Sequence, residues 1–91
     1  MNNEVSSVHF EMMVVATKLR VFFQCQTADV QNELRSEIAS MFRIAGLGEF
    51  EGYRLMINLQ ENRVGSVTEF ARRVSDNAPL VAAMRRIAVL F

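Results

Sequence analysis

The sequence predicts a small α+β domain that spans residues 1–91: a β-hairpin, then a helix, a third strand and two C-terminal helices. Three observations predict this fold class. Apolar and polar residues alternate near the start of the chain and again after its glycine-rich middle, a well-defined amphipathic helix lies between these stretches, and two short capped segments follow them. An all-α helical bundle is the alternative, since the first stretch is also compatible with one long helix.

The first segment, residues 5–26, has two interpretations. As two strands, it places apolar residues at every second position over residues 8–14 and again over residues 19–25. Val and Phe favour strands, and β-branched residues lose side-chain freedom in a helix. As one helix, it has an apolar residue at every third or fourth position: Val5, Val8, Met12, Val15, Leu19 and Phe22. The joint at residues 16–18 lacks the Gly or Asn of a tight hairpin, but the alternation is nearly complete and favours the strands.

The second segment, residues 27–46, predicts a helix. Thr27 can cap its N-terminus, and Asp29 and Glu33 lie near the positive end of the helix dipole. Apolar residues at helical spacing form one face: Val30, Leu34, Ile38, Met41, Phe42 and Ala45. Gly46 supplies the C-terminal stop.

The third segment, residues 51–62, alternates once more between apolar and polar side chains. The apolar positions are Tyr53, Leu55, Ile57 and Leu59. This pattern favours a strand, and a short helix is the competing interpretation.

The last segment predicts two helices. Ser66 and Glu69 have the spacing of a capping box, which begins a helix that extends to about Ser75. Asn77 can cap a second helix, and Pro79 is tolerated in its first turn. The apolar face of this second helix consists of Leu80, Met84, Ile87 and either Leu90 or Phe91.

The composition indicates a protein that binds another protein. Of its 91 residues, 51% are hydrophobic, including seven Phe and six Met. A chain of this length buries only about 60% of the surface that its unfolded form exposes, so we expect apolar surface to remain outside. Such surface usually marks a partner site, and a second copy of the chain is the simplest partner.

Charge is balanced over the whole chain but not along it. Residues 1–52 carry four basic and seven acidic residues, whereas residues 53–91 carry six and three. Three carboxylates at helical spacing form an acidic row, and four arginines form the candidate basic surface. The candidate partner-binding or nucleic-acid-binding residues are therefore Asp29, Glu33, Glu37, Arg72, Arg73, Arg85 and Arg86. Because Arg binds both carboxylates and phosphates, these arginines suit an acidic protein, the acidic row of a second copy, or nucleic acid.

Residues 66–87 have the residue pattern of a helix-turn-helix. Such a motif needs a small residue where the helices cross, a turn four residues later and an apolar residue ten after the small one. Ala71, Ser75 and Val81 occupy these positions, with apolar residues around them at Phe70, Val74 and Met84. Over about a quarter of the chain, this stretch resembles the bacterial helix-turn-helix repressors, which implies DNA binding through the second helix.

The stretch also departs from that family. Ser75 and Asp76 stand where the repressors usually have Gly followed by an apolar residue. The second helix begins with residues 78–84, APLVAAM, which offer almost no hydrogen-bonding groups to base edges. Arg85 and Arg86 come late, where such helices more often touch phosphate. DNA binding is therefore the alternative hypothesis rather than the first.

The residues that carry most enzyme chemistry are scarce. His9 and Cys25 are the only histidine and cysteine, so the chain lacks metal-ligand spacing and an internal disulfide. No cation adjoins Cys25, which predicts a buried structural thiol. The three glycines of residues 46–52 follow a helix and precede a predicted strand, whereas a phosphate loop follows a strand and precedes a helix. We therefore expect no catalytic residues, cofactor, metal or small-molecule substrate.

The chain also lacks the pattern of a membrane or secretory protein. Its first apolar run, residues 12–16, is shorter than a signal-peptide core, and no run approaches the ~18 apolar residues of a membrane helix. These features predict a cytoplasmic protein that does not bind membranes. The functional prediction is a small non-enzymatic regulator or adaptor that acts by protein–protein binding as a homodimer; a DNA-binding transcriptional regulator is the alternative.

Overall fold

Five α-helices follow one another along residues 3–61 and 65–89, the part of the chain that a computed structural model describes. They are α1 (Asn3–Gln24), α2 (Ala28–Ile44), α3 (Glu49–Gln60), α4 (Ser66–Ser75) and α5 (Ala78–Ala88). The predicted α+β fold is therefore wrong, and the all-α bundle is the observed architecture. Within the described ranges, none of these helices combines the length and apolar character needed to cross a membrane.

The predicted β-hairpin is the single helix α1, and its geometry explains the error. Met12 and Leu19 on one side of α1 are buried, whereas Phe10 and Val14 on the opposite side are exposed. Residues two apart in a helix lie about 200° apart around its axis, that is, on opposite faces. Apolar residues on both faces therefore alternate with period two and imitate a strand.

The predicted third strand is the helix α3, and the same explanation applies. Leu55 and Leu59 are buried, whereas Tyr53 and Ile57 are exposed on the other side of the helix. The alternation from Tyr53 to Leu59 thus combines a core face with an outer face. Helical packing of the inner face outweighs the weak strand preference of the outer residues.

The predicted boundaries of α2 are confirmed. Thr27 precedes the helix, and its side-chain oxygen accepts a hydrogen bond from the backbone N–H of Val30 at 3.4 Å. At the other end, Gly46 adopts a left-handed φ of 108°. The N–H groups of Gly46 and Leu47 donate to the carbonyls of Arg43 and Phe42, both at 3.0 Å. This pair of bonds is a Schellman motif, which glycine favours because it lacks a Cβ.

The two C-terminal helices are also confirmed, with one change at their start. The side chain of Asn77 accepts from the N–H of Leu80 at 3.2 Å and so caps α5 as predicted. The predicted capping box is wrong, however: Ser66 is the first residue of α4, Gly65 occupies the cap position with a φ of 85°, and no side chain caps this helix. The hydroxyl of Ser66 is buried; it donates to the carbonyl of Glu61 at 3.1 Å and accepts from Arg20 at 3.2 Å. It thereby ties the start of α4 to α1.

The core lies between two helical pairs. α1 packs most extensively along α4, and α2 along α3, while α5 contacts α1, α2 and α4. Phe42 and Phe70 join the two pairs with ring centroids 6.3 Å apart. The largest fully buried side chains are Phe23, Phe42, Phe70, Met12, Leu19, Met56, Leu59, Leu80, Met84 and Val74.

Gly52 sets the distance between α2 and α3. A Cβ atom at this position would lie 3.0 Å from the Cβ of Phe42 and 3.3 Å from the carbonyl oxygen of Ala39. Both distances are shorter than ordinary van der Waals contacts. The absence of a side chain at Gly52 therefore lets the backbones of the two helices approach closely, which places Phe42 against the rest of the core.

Candidate interaction surface

The face of α1 that points away from the core carries a regular row of exposed residues. Its members are separated alternately by three and four positions: Ser7, Phe10, Val14, Thr17, Val21 and Gln24, all exposed. We call this row the outer seam of α1. Phe10, Val14 and Val21 expose 67%, 39% and 52% of their surface, so the middle of the seam is apolar except for Thr17, and its two ends are polar.

A shallow apolar groove runs beside the outer seam. It has a volume of about 380 Å³ and is lined by Phe10, Met13, Val14, Thr17 and Lys18. The hydroxyl of Thr17 donates to the carbonyl of Met13 at 2.8 Å. Because that bond satisfies the hydroxyl within the helix, Thr17 can face an apolar partner without burying an unpaired donor.

An ion pair borders the outer seam on its α5 side. The guanidinium of Arg85 donates from Nε and Nη2 to the two carboxylate oxygens of Glu11, at 2.9 and 2.8 Å. The hydrogen bond from Arg85 lowers the pKa of Glu11, and the same bond raises the pKa of Arg85. Sequence reasoning missed Glu11, because it placed this residue on the polar side of a hairpin, 74 positions before Arg85.

At neutral pH, we expect Glu11→Gln to lower the free energy of unfolding slightly. In acid, we expect the variant and the natural protein to be equally stable. A carboxylate whose pKa is lowered by folding stabilises the fold at pH values above its unfolded pKa of about 4.3. That contribution disappears as the pH falls through the lower pKa of the folded state. Urea denaturation of both proteins at neutral pH and near pH 2–3 measures the difference; the effect is small because the pair is exposed.

Glu33→Gln is the matched control for this prediction. Glu33 is exposed on α2 and makes no side-chain hydrogen bond or ion pair within residues 3–61 and 65–89. A loss at neutral pH as large as that of Glu11→Gln would show that the contact with Arg85 has no specific role.

The predicted acidic row forms one exposed face of α2. Asp29, Glu33 and Glu37 all lie at the surface, as their helical spacing predicts. The structure does not bring them to the chain's own arginines: no ion pair joins the two groups in the described part of the protein. The row therefore stays available to a partner.

The four predicted arginines do not form one surface patch of equivalent residues. Arg85 is held by Glu11, whereas Arg72, Arg73 and Arg86 are exposed and make no ion pair to the described residues. All four lie in the last turns of α4 and α5, where positive side chains also stabilise the helix dipole. Each of the four arginines therefore stabilises the end of its own helix, whether or not it also binds a partner.

Arg73 lies at a small polar cleft between α3 and α4. The cleft has a volume of about 150 Å³ and is lined by Glu51, Arg54, Leu55, Asn58 and Arg73. Sequence reasoning did not select Arg54 or Asn58, because both were assigned to one face of a strand. Neither residue belongs to the acidic row or to the four arginines that were selected from the sequence.

A second exposed apolar row lies on α3. Phe50, Tyr53 and Ile57, which we call the outer stripe of α3, expose 75%, 39% and 40% of their surface. The guanidinium of Arg35 lies 5.7 Å from the ring centroid of Tyr53, and its Nε donates to Gln60 at 3.0 Å. The guanidinium of Arg35 therefore covers part of the Tyr53 ring, so this stripe offers a partner less free apolar surface at Tyr53.

The single cysteine lies at a different depth from that predicted, and the single histidine is half-buried. Cys25 is exposed, so the prediction of a buried thiol is wrong: the chain leaves α1 at this point and turns toward α2. His9 is half-buried. Among the described residues, no group of three or more His, Cys, Asp or Glu side chains is arranged to hold a metal ion.

The helix pair α4–α5 has the connectivity of the repressor motif. Residues 76–77 join the two helices, but the exposed side chains in the first two turns of α5 are Ala78, Pro79 and Ala82. None of these can donate a hydrogen bond to a base. Comparisons with protein-family models, with curated proteins and with solved structures found no match to this chain.

Proposed function

We propose that the protein is a small non-enzymatic regulator or adaptor that acts by protein–protein binding, and that it associates with a second copy through the outer seam of α1. One observation carries the proposal: Phe10, Val14 and Val21 are exposed on a helix whose opposite face already fills the core. A helix with two apolar faces buries one in its own fold and offers the other to a partner.

The size of the seam supports a weak dimer rather than a permanent one. From Ser7 to Gln24 the helix rises by roughly 25 Å. Two such helices bury an area at the low end of specific interfaces, roughly 1,200 Å². Interfaces of this size or smaller are typical of transient complexes, because association costs roughly 4–15 kcal/mol of lost freedom that a small contact barely offsets. We therefore expect dissociation constants in the micromolar range.

Two other surfaces offer competing modes of association. The acidic row on α2 and the exposed arginines Arg72, Arg73 and Arg86 would join copies by charge, so that salt would weaken the contact. Association through the apolar seam should depend less on salt, because hydrophobic burial changes little with moderate salt.

DNA binding through residues 66–87 is the second candidate function. The exposed arginines of α4 and α5 favour it, since each can contact a phosphate. The apolar start of α5 counts against sequence-specific binding. Binding to phosphates alone would weaken steeply with salt, by about 0.9 in log K per contact for each unit of log salt concentration.

We expect light scattering at micromolar concentrations to give twice the mass of one chain for the natural protein, and one chain for Val14→Glu. A carboxylate in the seam loses its hydration on pairing, which opposes association. The matched control is Val30→Glu on α2, since Val30 exposes 36% of its surface and Val14 exposes 39%. Circular dichroism checks that each variant keeps its helices.

The other outcomes identify which proposal is wrong. A monomer over the whole concentration range would contradict self-association. If Ile57→Glu dissociates the dimer and Val14→Glu does not, the interface is the outer stripe of α3. Tight, salt-dependent binding of the natural protein to duplex DNA would favour the second candidate function, because we expect weak or no binding at physiological salt.

A further inference from the structure

We propose that the two copies pair with their α1 helices antiparallel and in one defined register. This inference rests on the self-association proposed above and adds the direction of the helices and their contacts. In this register Ser7 faces Gln24 of the partner subunit, Phe10 faces the partner's Val21, and Val14 faces the partner's Thr17. The two-fold axis passes between the two α1 helices, level with the middle of the outer seam between Val14 and Thr17, so each contact occurs twice.

The spacing of the outer seam is the first argument. Alternate steps of three and four residues, from Ser7 to Gln24, are the repeat that keeps two helices in contact along their length. Ser7, Val14 and Val21 occupy one of the two repeating positions, and Phe10, Thr17 and Gln24 occupy the other. An antiparallel pair matches one kind of position with the other, which places the largest side chain, Phe10, against a smaller Val.

The groove beside the seam is the second argument. Four of its lining residues, Phe10, Met13, Val14 and Thr17, have the spacing i, i+3, i+4 and i+7. Four residues in this arrangement form the hole that receives one side chain of a facing helix. In the proposed register the partner's Thr17 enters this hole. Its hydroxyl is already bonded to the carbonyl of Met13 in its own helix, so burial leaves no donor unpaired.

Charge complementarity is the third argument and decides the direction. Glu11 and Lys18 both lie on the α5 side of the seam, seven residues apart. An antiparallel pair brings Glu11 near the partner's Lys18 and, by symmetry, Lys18 near the partner's Glu11. A parallel pair would instead place Lys18 opposite the partner's Met13, where it has no counter-charge. The contact of Glu11 with Arg85 holds its carboxylate at this edge, and each oxygen can accept a second bond.

Engineered cysteines at the two ends of the seam test the register. Ser7→Cys and Gln24→Cys are prepared separately in a Cys25→Ser background; both positions are exposed, and neither carries apolar contact area. After mild oxidation, we expect covalent dimers from the mixture of the two variants and almost none from either alone. Within an antiparallel pair, two copies of residue 7 lie about 25 Å apart, too far for a disulfide. Ser36→Cys on α2, mixed with Gln24→Cys, is the control for random collision.

Lys18→Glu tests the charge pairing independently. It replaces two attractions by two repulsions in the antiparallel dimer, so we expect about tenfold weaker association by light scattering. Lys18→Gln, which only removes the attractions, should have a smaller effect. A parallel dimer would be nearly indifferent to both changes.

The possible results distinguish the antiparallel register from self-association itself. Covalent dimers from each single variant alone, with a normal dimer mass, would overturn the antiparallel register and leave self-association intact. A dimer mass without any crosslink in the mixture would also overturn the register. A monomer by light scattering would overturn self-association, and the register with it.

Discussion

Phe42→Ala and Phe70→Ala are each expected to lower the free energy of unfolding by about 3–5 kcal/mol. Both rings are fully buried and meet where the α1–α4 pair contacts the α2–α3 pair. Removing either ring leaves a cavity between the pairs that the helices cannot close without losing other contacts. The total stability expected for a chain of this size is roughly 5–14 kcal/mol, so either variant is expected to lose a large fraction of it.

Urea denaturation followed by circular dichroism measures this effect. Phe50→Ala is the matched control, because Phe50 exposes 75% of its surface on α3 and should cost less than about 0.5 kcal/mol. Equal losses from the buried and the exposed phenylalanines would contradict the packing described here.

Gly52→Ala is expected to destabilise the protein, although alanine is ordinarily the better helix former by about 1 kcal/mol. The added methyl would lie 3.0 Å from the Cβ of Phe42 and 3.3 Å from the backbone carbonyl of Ala39. Neither neighbour is the flexible end of a side chain, so α3 must move away from α2. Overpacking of this kind costs about 1–3 kcal/mol, and Gly52→Val should cost more than Gly52→Ala.

The direction of the change in the free energy of unfolding tests the Gly52 prediction. Thermal or urea unfolding that shows Gly52→Ala to be more stable than the natural protein would mean that α2 and α3 do not pack as closely as described. Gly48→Ala is the control: a Cβ there meets only the side chain of Glu51, at 3.8 Å. Gly48→Ala should lower the free energy of unfolding only because alanine caps a helix less well than glycine, by up to about 1 kcal/mol.

The sequence predicted those helices that have one apolar face and clear end signals. Thr27, Gly46 and Asn77 mark helix ends through local hydrogen bonds, and such signals act within a few residues. α1 and α3 were assigned to strands because each carries apolar residues on two faces. The alternation that misled the prediction thus identifies the helices that carry exposed apolar rows.

The candidate site was predictable only in part, for a similar reason. Charged clusters such as Asp29, Glu33 and Glu37 are visible in the sequence, and the structure places them at the surface. The outer seam of α1 was not visible, because in a hairpin Phe10 and Val14 would share the core face with Met12. The contact between Glu11 and Arg85 depends on how α5 packs against α1, which local sequence patterns do not specify.

The pairing of α1 with α4 has a consequence for synthesis of the chain. α2 and α3 are neighbours in sequence and can pair as soon as both are made, whereas α1 packs mainly on α4. Roughly 40 residues separate these two helices, so at about 5–20 residues per second α1 waits about 2–8 s for its partner on the ribosome. During that interval the face of α1 that packs on α4 lacks most of its final contacts, while the outer seam is exposed as well. We therefore expect the nascent helix to depend on protection by the ribosome surface or a chaperone until α4 is made.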